Sequence, residues 1–173
     1  MRKMIVLLLI WMGLTTTSKS QDLEYDCADI VTYKHASDGG VWVSEYVELM
    51  AGHKRNGIGI VLAVPHDNEV MMLSLGTKGI GCTPKETKVE LELSDLSVVT
   101  LLSDNAYNCK GYVQVFFGGN FKRQFELRKL TRSDIVKIRV HGLSGMIERE
   151  LDEEDGLYLQ AAFACLGGMV GLF

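Results

Sequence analysis

The chain has 173 residues, 47% of them hydrophobic and 23% charged, with 18 glycines, 2 prolines and a formal charge of −4. This composition excludes a disordered or collagen-like chain and suits one globular domain. The acidic balance argues against nucleic-acid binding, which needs a concentrated surplus of Lys and Arg to neutralise phosphates.

Residues 1–20 have the layout of a signal peptide. Arg2 and Lys3 precede an uncharged apolar run at 4–14, and Ser18 and Ser20 occupy the small-residue positions before a cut ahead of Gln21. Spanning a membrane takes about 20 apolar residues, so this run is too short to serve as an anchor. The expected product is a soluble single domain, 21–173, periplasmic or secreted and not membrane-spanning once the signal is cleaved. Cleavage removes Arg2, Lys3 and Lys19 and no acid, which takes the formal charge from −4 to −7.

Strand signals follow in close succession. A strand near 30–35 is expected to turn at Asp38-Gly39-Gly40 into a second at 41–49, and residues 52–57 turn that one into 58–64. The 58–64 segment is apolar on both faces and belongs at the centre of a sheet. Pro65-His66-Asp67-Asn68 is a turn by composition, and the apolar stretch 70–75 follows it. Val89, Leu91 and Leu93 alternate with Lys88, Glu90 and Glu92, the period of a half-buried strand; 87–93 and 98–103 form a natural hairpin. Val113, Val115 and Phe117 share a face of the next strand. Gly118-Gly119-Asn120 then reads as a three-residue hairpin loop leading to a strand at 121–127, with Phe121, Phe125 and Leu127 on one face. Strands at 135–141 and 146–151 complete the set.

No two of these strands are separated by a helical pattern long enough for a parallel crossover. The expected fold is mainly β: an antiparallel β-sandwich or partly open barrel of about ten short strands with one C-terminal α-helix. That helix is placed at 153–166. Glu153, Glu154 and Asp155 suit the positive end of its dipole, Ala161, Ala162 and Ala164 favour helix, and Gly167 is positioned as its cap. Residues 157–173 carry Gln160 as their one strongly polar side chain. Gly167, Gly168 and Gly171 interrupt that stretch, so it reads as a helix covering the sheet with a tail returning to the core, rather than as a membrane span.

The cysteines are Cys27, Cys82, Cys109 and Cys165, with no C-x-x-C pair to indicate a zinc ribbon or redox site. In an exported protein disulfides are expected. If 87–93 and 98–103 are adjacent, Cys82 and Cys109 lie at nearly equal offsets beyond the same end of the hairpin, which makes them the preferred bridge. Cys165 sits in the apolar helix, where a free buried thiol and a bond to Cys27 both remain open.

Candidate chemistry is sparse. His35, His53, His66 and His141 are too far apart in the chain for the helical metal spacings. Asp22, Glu24 and Asp26 have the one-three-five spacing of a calcium loop, but Cys27 stands where that loop needs glycine and Tyr33 where it needs glutamate. Gly142-Leu143-Ser144-Gly145-Met146 lacks the last glycine of a nucleophile elbow, and residues 76–81 are not followed by the helix that a phosphate loop requires. No catalytic, cofactor-binding or metal-ligating residue is therefore assigned, and no cofactor is expected.

The main charge feature is the stretch 122–139, with Lys122, Arg123, Arg128, Lys129, Arg132, Lys137 and Arg139 against Glu126 and Asp134. Lys122, Arg128, Lys137 and Arg139 form a candidate anion-facing surface for a glycan, a lipid headgroup or an acidic partner. A structural account competes with it and is preferred. With a four-residue loop at 142–145, Arg139 faces Glu148, Lys137 faces Glu150 and His141 faces Met146, the cross-strand pairing that stabilises a solvent face. The functional expectation is an exported non-enzymatic β-domain that binds a macromolecule or ligand through a protein or glycan partner, for example within a cell-envelope assembly. The alternative is a periplasmic or secreted hydrolase whose site is assembled from separate strands.

Overall fold

The structure, a computed structural model, describes residues 26–36, 39–51, 56–65, 70–118 and 121–172. The signal-peptide reading, the Pro65-His66-Asp67-Asn68 turn beyond Pro65 and the turn at 52–55 lie outside the described residues. Ten strands are described: β1 (Val31–Ala36), β2 (Gly39–Ser44), β3 (Val47–Ala51), β4 (Asn56–Pro65), β5 (Met71–Lys78), β6 (Lys88–Leu93), β7 (Val98–Leu102), β8 (Tyr112–Phe117), β9 (Ile135–Gly142) and β10 (Gly145–Glu150). Three helices accompany them: α1 (Cys27–Ile30), α2 (Phe121–Leu130) and α3 (Glu153–Met169). The fold is mainly β, as the alternation implied. Two antiparallel sheets, neither of them closed, are ordered β1-β2-β4-β5-β8, with β3 also on β4, and β10-β9-β6-β7.

Alternation directs one apolar row from each sheet into a single core. Ile58, Ile60, Leu62, Leu73, Val115 and Phe117 of the first sheet join Val89, Leu91, Leu101, Ile138 and Val140 of the second. Central β4, apolar on both faces in the sequence, has β5 on one edge and β2 and β3 on the other.

Residues 41–49 are not one strand. Between the pairs Val43↔Ala63 and Val47↔Ile60, Ser44, Glu45 and Tyr46 oppose only Val61 and Leu62. This is a bulge, and its freed backbone groups find side-chain partners. The Leu62 N–H donates to Ser44 Oγ at 3.0 Å, and the Glu45 N–H donates to the Tyr158 hydroxyl at 2.6 Å.

Residues 121–127 are not a strand either; they begin α2. The segment FKRQFELRKL has no β-branched residue, Gly or Pro and is rich in good helix formers. Leu127 and Leu130, three apart, are its buried anchors, whereas Phe121 and Phe125, four apart, share its exposed side. The apolar spacing of this segment is thus a helical period, with Phe121 and Phe125 on one side and Leu127 and Leu130 on the other. The chain uses α2 to cross from β8 in the first sheet to β9 in the second.

Helix α3 starts where the sequence indicated. Asp152 caps it, accepting from the Asp155 N–H at 2.8 Å. It runs past Gly167, which is buried within the last turn, and ends at Met169; Gly171, just beyond the capping Val170, has a φ of 62°, the left-handed conformation that closes a helix C-terminus. The Leu172 N–H reaches the Gly167 carbonyl and the Gly171 N–H the Gly168 carbonyl, both at 3.1 Å. That bond pair is a Schellman motif, and it turns Leu172 back into the core as a buried residue. Buried positions lie nearly all around α3, including Leu159, Ala162, Phe163 and Cys165, so the helix is a core element rather than a cover on one sheet. Phe163 meets Phe117 of β8 edge-on, with centroids 5.9 Å apart. Gly156 lies so close to β9 that a Cβ there would come within 2.5 Å of the Ile135 carbonyl oxygen.

Both disulfides are formed. Cys82 pairs with Cys109, and Cys27 on α1 pairs with Cys165 on α3, which resolves the alternative left open by the sequence. Cys82 reaches Cys109 because β6 and β7 form a hairpin, with Lys88 opposite Leu102. Among the described residues no helix is long and apolar enough to cross a membrane.

Candidate functional site

The outer face of the second sheet is a lattice of opposite charges. The β9–β10 register sets Arg139 opposite Glu148, Lys137 opposite Glu150 and His141 opposite Met146, and the β6–β9 register adds Glu90 opposite Arg139 and Glu92 opposite Lys137. Arg139 ion-pairs with Glu148 through Nε and with Glu92 through Nη2, the latter at 2.7 Å. Lys137 Nζ lies 3.4 Å from Glu150 and 3.9 Å from Glu148. Glu90 accepts from Lys88 at 2.7 Å and lies 2.8 Å from His141 Nε2.

These contacts set the titration behaviour of the face. Hydrogen bonds from Lys88 and then His141 hold the Glu90 carboxyl below its ordinary range. The Arg139 guanidinium does the same to Glu148, while Glu148 and then Glu92 hold Arg139 even more firmly charged. Cations and carboxylates here neutralise one another. Arg149, which the alternation puts on the inner face opposite Ile138, is half-buried and donates through Nη1 to the Glu148 carbonyl. It can do so because β10 is the edge strand of its sheet.

The four residues of the candidate anion-facing surface therefore fall into two groups. Lys137 and Arg139 belong to the lattice on β9, and Lys122 and Arg128 belong to α2. Around α2 the inner positions are tied down. Leu127 and Leu130 are fully buried, and Arg123 Nη2 donates to the Leu102 carbonyl and lies 3.6 Å from Asp104. Glu126 is largely enclosed, and burial raises its pKa against the lowering pull of Arg123, Lys122 and Lys129. The outward side carries Phe121, 82% exposed, and Phe125, 56% exposed, with Lys122, Arg128 and Lys129 also exposed. Lys129 Nζ stands 4.9 Å from the centroid of the Phe125 ring. At about 100° per residue, Arg128 lies on one flank of the two rings and Lys129 and Lys122 on the other.

A second feature is a depression of about 150 Å³ on the outer face of the first sheet. Gly59 and Gly76, paired across β4 and β5, form part of its floor, and Tyr46, Glu48, Lys78 and Lys110 line it. Tyr46 lies directly over Gly59, where a Cβ would collide with the phenol ring. Small-molecule sites run from about 300 Å³ upward, so this hollow is small for one.

Of the four histidines, His35 and His141 are among the described residues and lie on different sheets, His35 against Tyr33 and His141 against Glu90. His53 and His66 lie outside them. Among the described residues no group of three His, Cys, Asp or Glu is arranged to hold a metal. Asp26, one of the acids with calcium-loop spacing, caps α1 by accepting from the Ala28 N–H at 3.0 Å, while Asp22 and Glu24 lie outside the described residues. Gly142 and Gly145 pair across the β9–β10 turn, so Ser144 sits between two strands as expected. The sequence reading missed the aromatic pair as an exposed feature. Their spacing of four was the available signal, and it pointed to a helix. No known protein family, curated protein or solved structure matches this chain.

Proposed function

We propose that this chain is an exported, non-enzymatic binding domain that docks on an acidic macromolecular surface through the outward face of α2. The observation that carries the reading is the exposure of Phe121 and Phe125 between cations, on a helix whose opposite side is locked into the fold. Both rings keep more than half of their surface in water, and exposed apolar groups framed by charge favour a partner's surface. Two disulfides fit an oxidising compartment, in line with the signal-peptide pattern and a start at Gln21. The lattice around Arg139, with its charges already paired, is assigned a structural role.

The test is made in the producing cells. The intact mass of the exported chain should begin at Gln21, and the protein should fractionate with the particulate envelope and be released by salt. Arg128→Glu combined with Lys129→Glu should shift it to the soluble fraction. If that variant and the parent fractionate identically, the docking role of α2 is wrong.

A further inference from the structure

We infer that the acidic surface docked by α2 is an anionic lipid bilayer, and that Phe121 and Phe125 insert at its interface while the flanking cations meet the headgroups. This rests on the docking role of α2 proposed above and adds what the helix docks on. Three observations favour lipid over an acidic protein or glycan.

The first is the arrangement around the helix. Phe121 and Phe125 are separated by about 40° at 100° per residue, with Arg128 to one side and Lys129 and Lys122 to the other. A helix lying in a membrane interface has this cross-section, with apolar rings at the centre and cations at the margins. The second is size. Ten residues of helix are about 15 Å long, and two rings on a convex cylinder fall well short of the roughly 800 Å² per partner of a stable protein interface. A bilayer imposes no such minimum, because ring insertion and headgroup attraction add along a surface without a fixed counterpart. The third is the kind of polar group that borders the rings: Arg128, Lys129 and Lys122 are all cations, suited to headgroup phosphates, and Gln124 is the one neutral side chain on α2 that could hydrogen-bond a sugar hydroxyl.

The helix is also held so that this face stays outward. Leu127 and Leu130 anchor it in the core, and Arg123 ties it to the end of β7 and to Asp104. An acidic chain is repelled by an anionic surface as a whole, so attraction confined to the α2 patch orients the domain as well as binding it.

Flotation with vesicles tests the assignment. The protein as processed on export is mixed with vesicles of phosphatidylglycerol in phosphatidylcholine and, separately, with phosphatidylcholine alone. Binding is expected on the anionic vesicles only, and it should fall about tenfold or more toward 0.5 M salt. Phe121→Ser with Phe125→Ser, and separately Arg128→Gln with Lys129→Gln, should each weaken it about tenfold or more. Lys137→Gln, on the lattice face, should leave it unchanged. The substituted α2 side chains are exposed and Lys137 lies half-buried in the lattice, and an unaltered non-reducing peptide map and helix content confirm each variant's fold. Equal binding to neutral vesicles, or binding insensitive to both α2 pairs, overturns the proposal. No vesicle binding, with envelope association in cells still sensitive to Arg128 and Lys129, overturns the lipid assignment and leaves a protein or glycan as the docked surface. Loss of sensitivity in both assays removes the docking role itself.

Discussion

The Tyr158 hydroxyl of α3 accepts the Glu45 N–H at 2.6 Å, inside the bulge that separates β2 from β3. The same oxygen donates to the Ile30 carbonyl at 3.1 Å, so one side chain of the last helix joins the end of α1 to the break in the sheet. Tyr158→Phe removes both bonds while keeping the ring. The expected loss is about 1–2 kcal/mol, at the lower end if water replaces the partner of exposed Glu45. Urea denaturation of the two proteins measures it, and an unchanged midpoint would show that the bulge does not depend on this hydroxyl.

The two disulfides should contribute unequally. Cys27 and Cys165 are 138 positions apart and Cys82 and Cys109 only 27. Loop-closure entropy gives about 5 kcal/mol for the first and about 3.5 kcal/mol for the second. Replacing Cys27 and Cys165 by serine should therefore lower the denaturation midpoint more than replacing the other pair. The reverse order would mean that strain or residual structure, not chain entropy, governs these bonds.

Arg139→Gln should lower the thermal midpoint near neutral pH. The hydrogen bond from Arg139 lowers the pKa of Glu148, so this contribution is in place above the unfolded carboxylate pKa and is lost as pH falls through the folded value. Arg139 touches Glu148 directly. The gap between variant and parent should close below about pH 4. A gap that stays constant into acid would assign Arg139 a packing role instead.

Glu126 should behave with the opposite sign. Burial raises its pKa, so its favourable contribution is present below the unfolded value and is lost as pH rises through the folded one. Glu126→Gln should raise the melting temperature at pH 7 and have little effect near pH 3. A lower melting temperature at pH 7 would show that the pull of Lys122, Arg123 and Lys129 outweighs the burial.

Two glycines should respond in opposite directions to alanine. At Gly156 a Cβ would sit 2.5 Å from the Ile135 carbonyl oxygen, so Gly156→Ala should cost about 1–3 kcal/mol despite alanine's helix propensity. At Gly76 nothing lies within 4 Å of the added carbon, so Gly76→Ala should stabilise β5 by about 0.5–1 kcal/mol. Paired melting curves give both signs in one experiment.

Local periodicity and chain topology determined much of this protein directly from its sequence. The alternation in β6 and in β9–β10 sets the register that pairs Arg139 with Glu148, because a slip of one residue would turn every apolar side chain outward. The hairpin of β6 and β7 brings Cys82 to Cys109, since both lie just beyond its shared end. Tertiary structure alone decided the rest. Phe121, Phe125 and Leu127 share a face only on a strand; on the helix that the four-residue spacing of the rings also allows, Leu127 turns inward with Leu130, and only that packing places the rings in solvent. The bulge at Glu45 requires Tyr158 from the far end of the chain, and the Cys27–Cys165 bond requires α1 and α3 to be neighbours. Contacts that close over more than a hundred residues leave no local period to read, because their free energy comes from packing between elements rather than from the segments themselves.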